Sequence, residues 1–212
     1  MSYVALDLHD ITGLILAGGR GSRMGGVDKG LQPLAGHTLV WHALQRLQPQ
    51  VGSVIVNANR HLEDYQQLGV PVYPDALADF AGPLAGFLVG LQEARTPYVL
   101  TVPCDSPRFP LDLAARLSQA LQAEQAEIAM VTAPELDDRG ARVLRTQPVF
   151  CLIPRSLLAS LQAFLASGQR KIDRWTAQHR TVLVPFDQAQ DDPTAFANIN
   201  TLAELNALPA AI

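Results

Sequence analysis

Residues 12–30 read TGLILAGGRGSRMGGVDKG. Thr12–Ala17 is a continuous apolar run, which predicts a central strand buried on both faces. Gly18–Gly30 is too rich in glycine for helix or strand. Glycines at 18, 19, 21, 25 and 26 let backbone N–H groups approach an anion with no Cβ in the way, and Arg20, Arg23 and Lys29 bring positive charge to the same place. The loop lacks GxxxxGK[ST], so it is not a Walker P-loop. Met24 stands where GxGxxG needs its third glycine, which disfavours a dinucleotide-dependent dehydrogenase. A strand emptying into such a loop predicts phosphate binding; the plainer reading is a flexible surface loop.

Outward from this point, strands and helices alternate. His37–Leu47 has helical spacing, Ser53–Ala58 reads as a strand and Leu62–Leu68 as a short helix. Val70–Tyr73 is a third strand, Leu84–Ala94 a helix, and Tyr98–Val102 a fourth strand ending in Pro103-Cys104-Asp105. A helix over Leu111–Ala123 and a strand over Glu127–Thr132 follow. This alternation predicts a three-layer α/β, Rossmann-like fold: a mostly parallel sheet with helices on both faces. The C-terminal third is less regular. Asp137–Gly140 reads as a turn, Gln147–Ile153 as a strand, Arg155–Ala166 and Lys171–His179 as helices, and Thr181–Phe186 as a strand. The loop FANINT and a last short helix from Thr201 complete an expected second wall of a cleft.

With 212 residues, 48% of them hydrophobic and 17% charged, and with no repeat or low-complexity linker, a single domain over 1–212 is expected. A net charge of −4 argues against a nucleic-acid partner but not against a small anion held by a local cationic loop. No window is long and apolar enough for a membrane span, and the N-terminus lacks a basic n-region, so a cytoplasmic location is expected. Cys104 and Cys151 sit in apolar runs and read as two buried free thiols. Lysine occurs only at positions 29 and 171 against fourteen arginines. A position that keeps lysine in such a chain points to a need for a compact ammonium.

Ligands in open α/β sheets bind beyond the carboxyl ends of the strands. Those of the first four strands carry Gly18-Gly19, Asn57, Asp75 and Asp105. Asp105 is a hard oxygen ligand suited to Mg²⁺ bridged to phosphates. The plainer alternative for each Asp and Asn is a cap or turn at a loop start. His9, His37, His42, His61 and His179 show no metal-ligand spacing, and Asp79, Asp137-Asp138 and Asp191-Asp192 read as turn residues.

Leu16–Lys29, LAGGRGSRMGGVDK, resembles the signature loop of nucleotidyltransferases that use LAGG-x-G-x-R-M followed by lysine. Sugar-phosphate members usually carry proline before that lysine. GGVDK here is instead similar to the molybdenum cofactor guanylyltransferases. The resemblance continues at Val56-Asn57-Ala58-Asn59, at Asp75 within YPDALADF, at Gly82-Pro83-Leu84-Ala85-Gly86, at Pro103-Cys104-Asp105 and at Asn198-Ile199-Asn200-Thr201. It is weakest over Asp137–Arg145 and after Leu205.

The resemblance implies a nucleotide-diphospho-sugar transferase-like fold and transfer of GMP from GTP to the terminal phosphate of molybdenum-molybdopterin, with Mg²⁺. It assigns the nucleotide to Leu16, Ala17, Gly18, Gly19, Arg23, Lys29, Asn57, Asp75 and Asp105, with Lys29 and Asp105 catalytic and Asp105 on the metal. Asp75 would meet guanine or ribose. Asn198 and Asn200 would meet the pterin or a second Mg²⁺, and Arg170, Lys171 and Arg174 would clamp the second anionic substrate unless they are a solvated helix face. The nucleotide-binding half would span about 11–105 and the second-substrate half about 106–208. Cofactor-inserting chaperones or molybdoenzymes are the implied protein partners.

Rival readings are a cytidylyl- or sugar-phosphate nucleotidyltransferase of the same fold, or a non-catalytic nucleotide-binding regulatory module or cofactor chaperone. The GGVDK segment disfavours the first. The metal-suited Asp105 disfavours the second, since a pure binder needs no such carboxylate.

Overall fold

The structure is a computed structural model and describes residues 6–19, 27–76 and 82–199. In chain order its elements are β1 (Ile11–Leu16), β2 (Pro33–Leu34), β3 (His37–Thr38), α1 (Leu39–Leu47), β4 (Ser53–Asn57), α2 (Leu62–Gln66), β5 (Val72–Tyr73) and α3 (Pro83–Glu93). They continue with β6 (Tyr98–Pro103), α4 (Leu113–Ala123), β7 (Ile128–Leu136), β8 (Arg142–Pro154), α5 (Leu158–Ala166), α6 (Ile172–Thr176) and β9 (Thr181–Pro185).

Seven strands form one sheet in the order β5-β4-β1-β6-β8-β7-β9. β1 pairs in parallel with β4 and β6, and β7 pairs in parallel with β9. The expected mostly parallel sheet is therefore present, with one strand reversed. β8 is antiparallel to both β6 and β7 and is inserted between them. Side chains alternate along β1, so Ile11 and Ile15 join one core cluster while Leu14 and Leu16 join the other. The first cluster includes Val40, Leu44 and Leu47 of α1 and Leu117 and Leu121 of α4. The second includes Phe87 and Leu91 of α3, Leu161 and Phe164 of α5, and Trp175 of α6. A strand covered by helices on both faces has no face for water, hence the unbroken apolar run at 12–17.

Several predicted boundaries move. Helix α1 begins at Leu39 rather than His37, because His37–Thr38 pairs with Pro33–Leu34 and the Thr38 hydroxyl accepts the Trp41 amide as an N-cap. The helix predicted over Lys171–His179 stops at Thr176, where tight turns from Gln178 and His179 take over. The helix predicted from Arg155 opens as a 3₁₀ turn over Arg155–Leu157, α2 stops at Gln66, and the third strand begins at Val72 rather than Val70. The largest change is at the 137–140 turn, which joins β7 and β8 into a ribbon reaching Leu136 and starting again at Arg142. The Asp137 carboxylate accepts the amides of Arg139 and Ala141, which closes that turn. Asp79 and the helix predicted from Thr201 lie outside the described residues.

Candidate active site

The order of the sheet reverses at β1: the chain moves outward to β4 and β5, then returns to the other side of β1 as β6. Crevices at such reversals, beyond the carboxyl ends of the strands, are where this architecture places ligands. Backbone pairing runs one step past the strand ends, from the Ala17 amide to Asn57 O (2.8 Å), from Cys104 to Leu16 O (3.1 Å) and from Ala58 to Tyr73 O (3.1 Å). The residues that follow are thereby brought to one edge.

On the β4–β5 side, three polar side chains interlock. Asn57 is buried, and its Nδ2 donates to Tyr73 O at 3.1 Å and Asp75 Oδ1 at 2.9 Å. Asn59 Nδ2 donates to Asp75 Oδ2 at 2.8 Å, while Asn59 Oδ1 accepts the Asp75 amide at 2.7 Å. Both Asp75 oxygens are thus fixed, each by a neutral amide rather than a cation, and each oxygen has a further lone pair for another donor. Asn59 Nδ2 also reaches Gly18 O at 3.4 Å, and Arg60 donates to Gly19 O at 3.2 Å. A Cβ at Gly18 would lie 2.8 Å from Asn59 Nδ2, so only glycine lets the loop start pass this close to the asparagine. Gly86 of α3 does the same from below, where a Cβ would collide with Leu16 and lie 2.6 Å from Asn57 Oδ1.

On the β6 side, Lys29 Nζ pairs with Asp105 Oδ2 at 3.0 Å, with side chains about one-fifth exposed. Burial, and after it the Asp105 and Asp28 charges, push the neighbouring Cys104 thiol well above its usual pKa, so no thiolate competes there. The segment after β9 returns to the same place. The Ile199 amide donates to Asp105 O at 2.8 Å, and buried Ser106 donates from Oγ to Asn198 Oδ1 at 2.6 Å. This return is pinned by two ion pairs, Arg108–Asp192 at 3.1 Å and Arg116–Asp191 at 2.7 Å, and by edge-on contacts of Phe196 with Phe150 and Phe186. Asp191 and Asp192, read from sequence as turn residues, are also clamp partners.

Leu16, Ala17, Gly18, Gly19, Lys29, Asn57, Asp75, Asp105 and Asn198 are thus gathered at one edge. Arg23 and Asn200 lie outside the described residues, as do Arg20, Gly21, Gly25 and Gly26. Exposed Arg170 donates to Leu165 O at 2.8 Å as a cap on α5, and exposed Lys171 begins α6. Neither has a contact with the Lys29–Asp105 pair among the described interactions. Sequence reasoning passed over Asn59 and Ser106 as site residues. The i, i+2 spacing of Asn57 and Asn59 was the available signal for the first; nothing local marks the second.

The donor set bears on a metal. Among the described residues no group of three or more His, Cys, Asp or Glu side chains could hold an ion by itself. At this edge the Asp28 carboxylate accepts from Tyr65 and Gly30, and Asp75 is held by two amides. Asp105 remains as a hard oxygen beside a cation. One carboxylate fits Mg²⁺ that keeps most of its other ligands as water and substrate phosphate.

A sequence profile of the MobA-like NTP transferase domain matches residues 13–184. The chain belongs to this family. Its MobA-like relatives include the molybdenum cofactor guanylyltransferase of Acidovorax sp. (strain JS42), 66% identical over 204 residues covering 96% of this chain and 97% of that one. That of Bordetella petrii is 61% identical over 204 residues, covering 96% and 100%. Among solved structures, molybdopterin-guanine dinucleotide biosynthesis protein A from Archaeoglobus fulgidus superposes with a TM-score of 0.69 at 18% identity, covering 92% of this chain and 95% of that one. The 4-diphosphocytidyl-2C-methyl-D-erythritolsynthase of Anaerococcus prevotii gives 0.69 at 14% identity, covering 94% and 96%. Likeness to both at such identities establishes the shared MobA-like fold and leaves the nucleotide open.

Proposed function

We propose that this chain is a molybdenum cofactor guanylyltransferase, transferring GMP from GTP to the terminal phosphate of molybdenum-molybdopterin with release of pyrophosphate. The observation that carries this reading is the full-length similarity, at 61–66% identity, to proteins of that name. The site supports it chemically. Backbone amides of the Gly18–Gly30 loop and Arg23 hold the triphosphate, and Leu16, Ala17, Gly18 and Gly19 form the floor under it. Asp75, braced by Asn57 and Asn59, accepts hydrogen bonds from the nucleoside, and N1–H and N2–H₂ of guanine are the donors that suit a carboxylate.

The attacking oxygen belongs to an already ionised phosphate, so no protein base is needed. A bond forms from that oxygen to the α-phosphorus of GTP as the bond to the bridging oxygen breaks, and pyrophosphate carries away the electron pair. Catalysis is then positioning and charge neutralisation. Lys29 would balance charge as two anions approach. Asp105 would hold Mg²⁺, which when bound supplies Lewis-acid neutralisation of the α-phosphate and pyrophosphate.

Residues about 11–105 would supply the nucleotide half and about 106–208 the second-substrate half, with Arg170 and Lys171 assigned to the second substrate and Asn198 and Asn200 to the pterin or a second Mg²⁺. A cytoplasmic location and hand-over to inserting chaperones or molybdoenzymes complete the proposal; no helix among the described residues is long and apolar enough to cross a membrane. Incubation with GTP, Mg²⁺ and molybdopterin, read as pyrophosphate and a guanine dinucleotide, tests it.

A further inference from the structure

Lys29 stands between two residues anchored from outside the loop. On one side, Asp28 is 8% exposed, and its Oδ1 accepts the Tyr65 hydroxyl at 2.6 Å and the Gly30 amide at 3.2 Å. On the other, the Gly30 backbone lies so close to Tyr65 that a Cβ would collide with the phenol oxygen, and Gly30 O accepts the Val40 amide at 2.9 Å. Asp28 O further accepts Gln32 Nε2 at 3.0 Å, and Lys29 O accepts the Gln32 amide at 3.0 Å. The backbone on both sides of Lys29 is therefore tied down while its side chain reaches out to Asp105.

Tyr65 comes from α2, remote in sequence, and is fully buried. Its position is costly by ordinary rules. A phenol and a carboxylate have both left water, and an apolar pair of similar size would fill the same space without that cost. Burial first, then nearby negative charge and the hydrogen bond to Asp28, push the Tyr65 hydroxyl far above its usual pKa, so it stays a hydrogen-bond donor at any working pH. The pair gives a fixed direction to the turn at 28–30.

We propose that Tyr65 and Asp28 are positioning residues that act through Lys29, setting its ammonium for the transfer step; this rests on the guanylyltransferase reading above. Neither touches the reacting atoms. A small misplacement of a charged group in a preorganised site carries a large rate penalty, so loss of the Tyr65 hydroxyl should lower kcat about tenfold with KM for GTP changed less than about twofold.

Two measurements test this. In the first, Tyr65→Phe is made in the wild-type chain and in Lys29→Ala. The expected result is a loss of about tenfold in the first background and less than about twofold in the second, because a residue acting through Lys29 has nothing left to act on. Equal losses in both backgrounds overturn the proposal, since they mark a general effect on the fold.

The second readout does not depend on turnover. The chain has lysine only at 29 and 171, so reductive ¹³C-methylation, which keeps the charge, gives two side-chain NMR signals beside that of the terminal amine, and Lys171→Arg and Lys29→Arg assign them. In Tyr65→Phe the Lys29 signal should move toward the position of exposed Lys171; an unmoved signal overturns the proposal. If the wild-type chain transfers no GMP at all, the function proposed above fails, and the NMR result alone decides whether Tyr65 and Asp28 place Lys29. Should Tyr65→Phe melt below the assay temperature, Asp28→Ala is read in the same two assays with the same deciding outcomes.

Discussion

Asn59 and Asp75 exchange two hydrogen bonds, side-chain amide to carboxylate at 2.8 Å and backbone amide to side-chain carbonyl at 2.7 Å. The carboxylate is held at one angle by a residue that carries no charge. In Asn59→Ala both bonds are lost, and Asp75 is left with the hydrogen bond from Asn57, which fixes one of its two oxygens. KM for GTP should rise about tenfold or more while kcat changes less, because the lost contacts act on the bound nucleoside in ground and transition states alike. Steady-state kinetics check this; a fall in kcat with KM unchanged would place Asp75 elsewhere in the reaction.

Asp105→Asn keeps shape and removes the anion. Turnover should fall at least about 100-fold, as for loss of one strong electrostatic contact, with the melting temperature little changed. Lys29→Arg should also impair turnover despite keeping charge, because a planar fork cannot take the place of a compact ammonium. If Asp105→Asn keeps near-normal turnover across a Mg²⁺ titration, Asp105 is a turn residue and the metal sits elsewhere.

Much of this edge is legible in sequence, for a physical reason. A strand buried on both faces must be a continuous apolar run, and the residue after it must leave the sheet, so Gly18, Asn57 and Asp105 announce themselves by position. Partners across the fold carry no such local mark. Asp191 and Asp192 look like turn residues because their arginines, Arg116 and Arg108, are more than seventy positions away. The reversal of β8 is hidden for the same reason: the period-2 pattern of a strand is identical in both directions, and only pairing with β6 and β7 decides it.

Gly86 tests the close approach of α3 to the site. A methyl there would press on Leu16 and Asn57, so Gly86→Ala should destabilise the protein by about 1–3 kcal/mol, the usual cost of overpacking, despite the better helix propensity of alanine. Thermal melting reads the first effect. A raised KM for GTP should accompany it, because Asn57 braces Asp75.

The Arg116–Asp191 clamp gives a pH signature. Burial pushes the Asp191 carboxyl up, but hydrogen bonds from Arg116 and the Gln188 amide and the Arg116 charge outweigh it, leaving its pKa below the usual value. A carboxyl with a lowered folded pKa contributes stability that is present above its unfolded pKa and lost as pH falls through the folded one. The melting temperature of Asp191→Asn should therefore lie below wild type at pH 7, and the gap should close below about pH 4. A gap that stays constant into acid would mean that the clamp does not depend on the charge of Asp191.

The central claim is GMP transfer from GTP. The direct measurement is to incubate the purified chain with Mg²⁺, molybdenum-molybdopterin and, in separate reactions, α-labelled GTP, CTP and ATP, then to separate labelled dinucleotide and quantify pyrophosphate. The account predicts label in the dinucleotide with GTP, pyrophosphate in equal amount, and turnover of CTP and ATP lower by about 10-fold or more, since each buried hydrogen-bonding group left unpaired costs about 1–3 kcal/mol. Equal turnover of GTP and CTP, or no labelled dinucleotide from GTP, would contradict it.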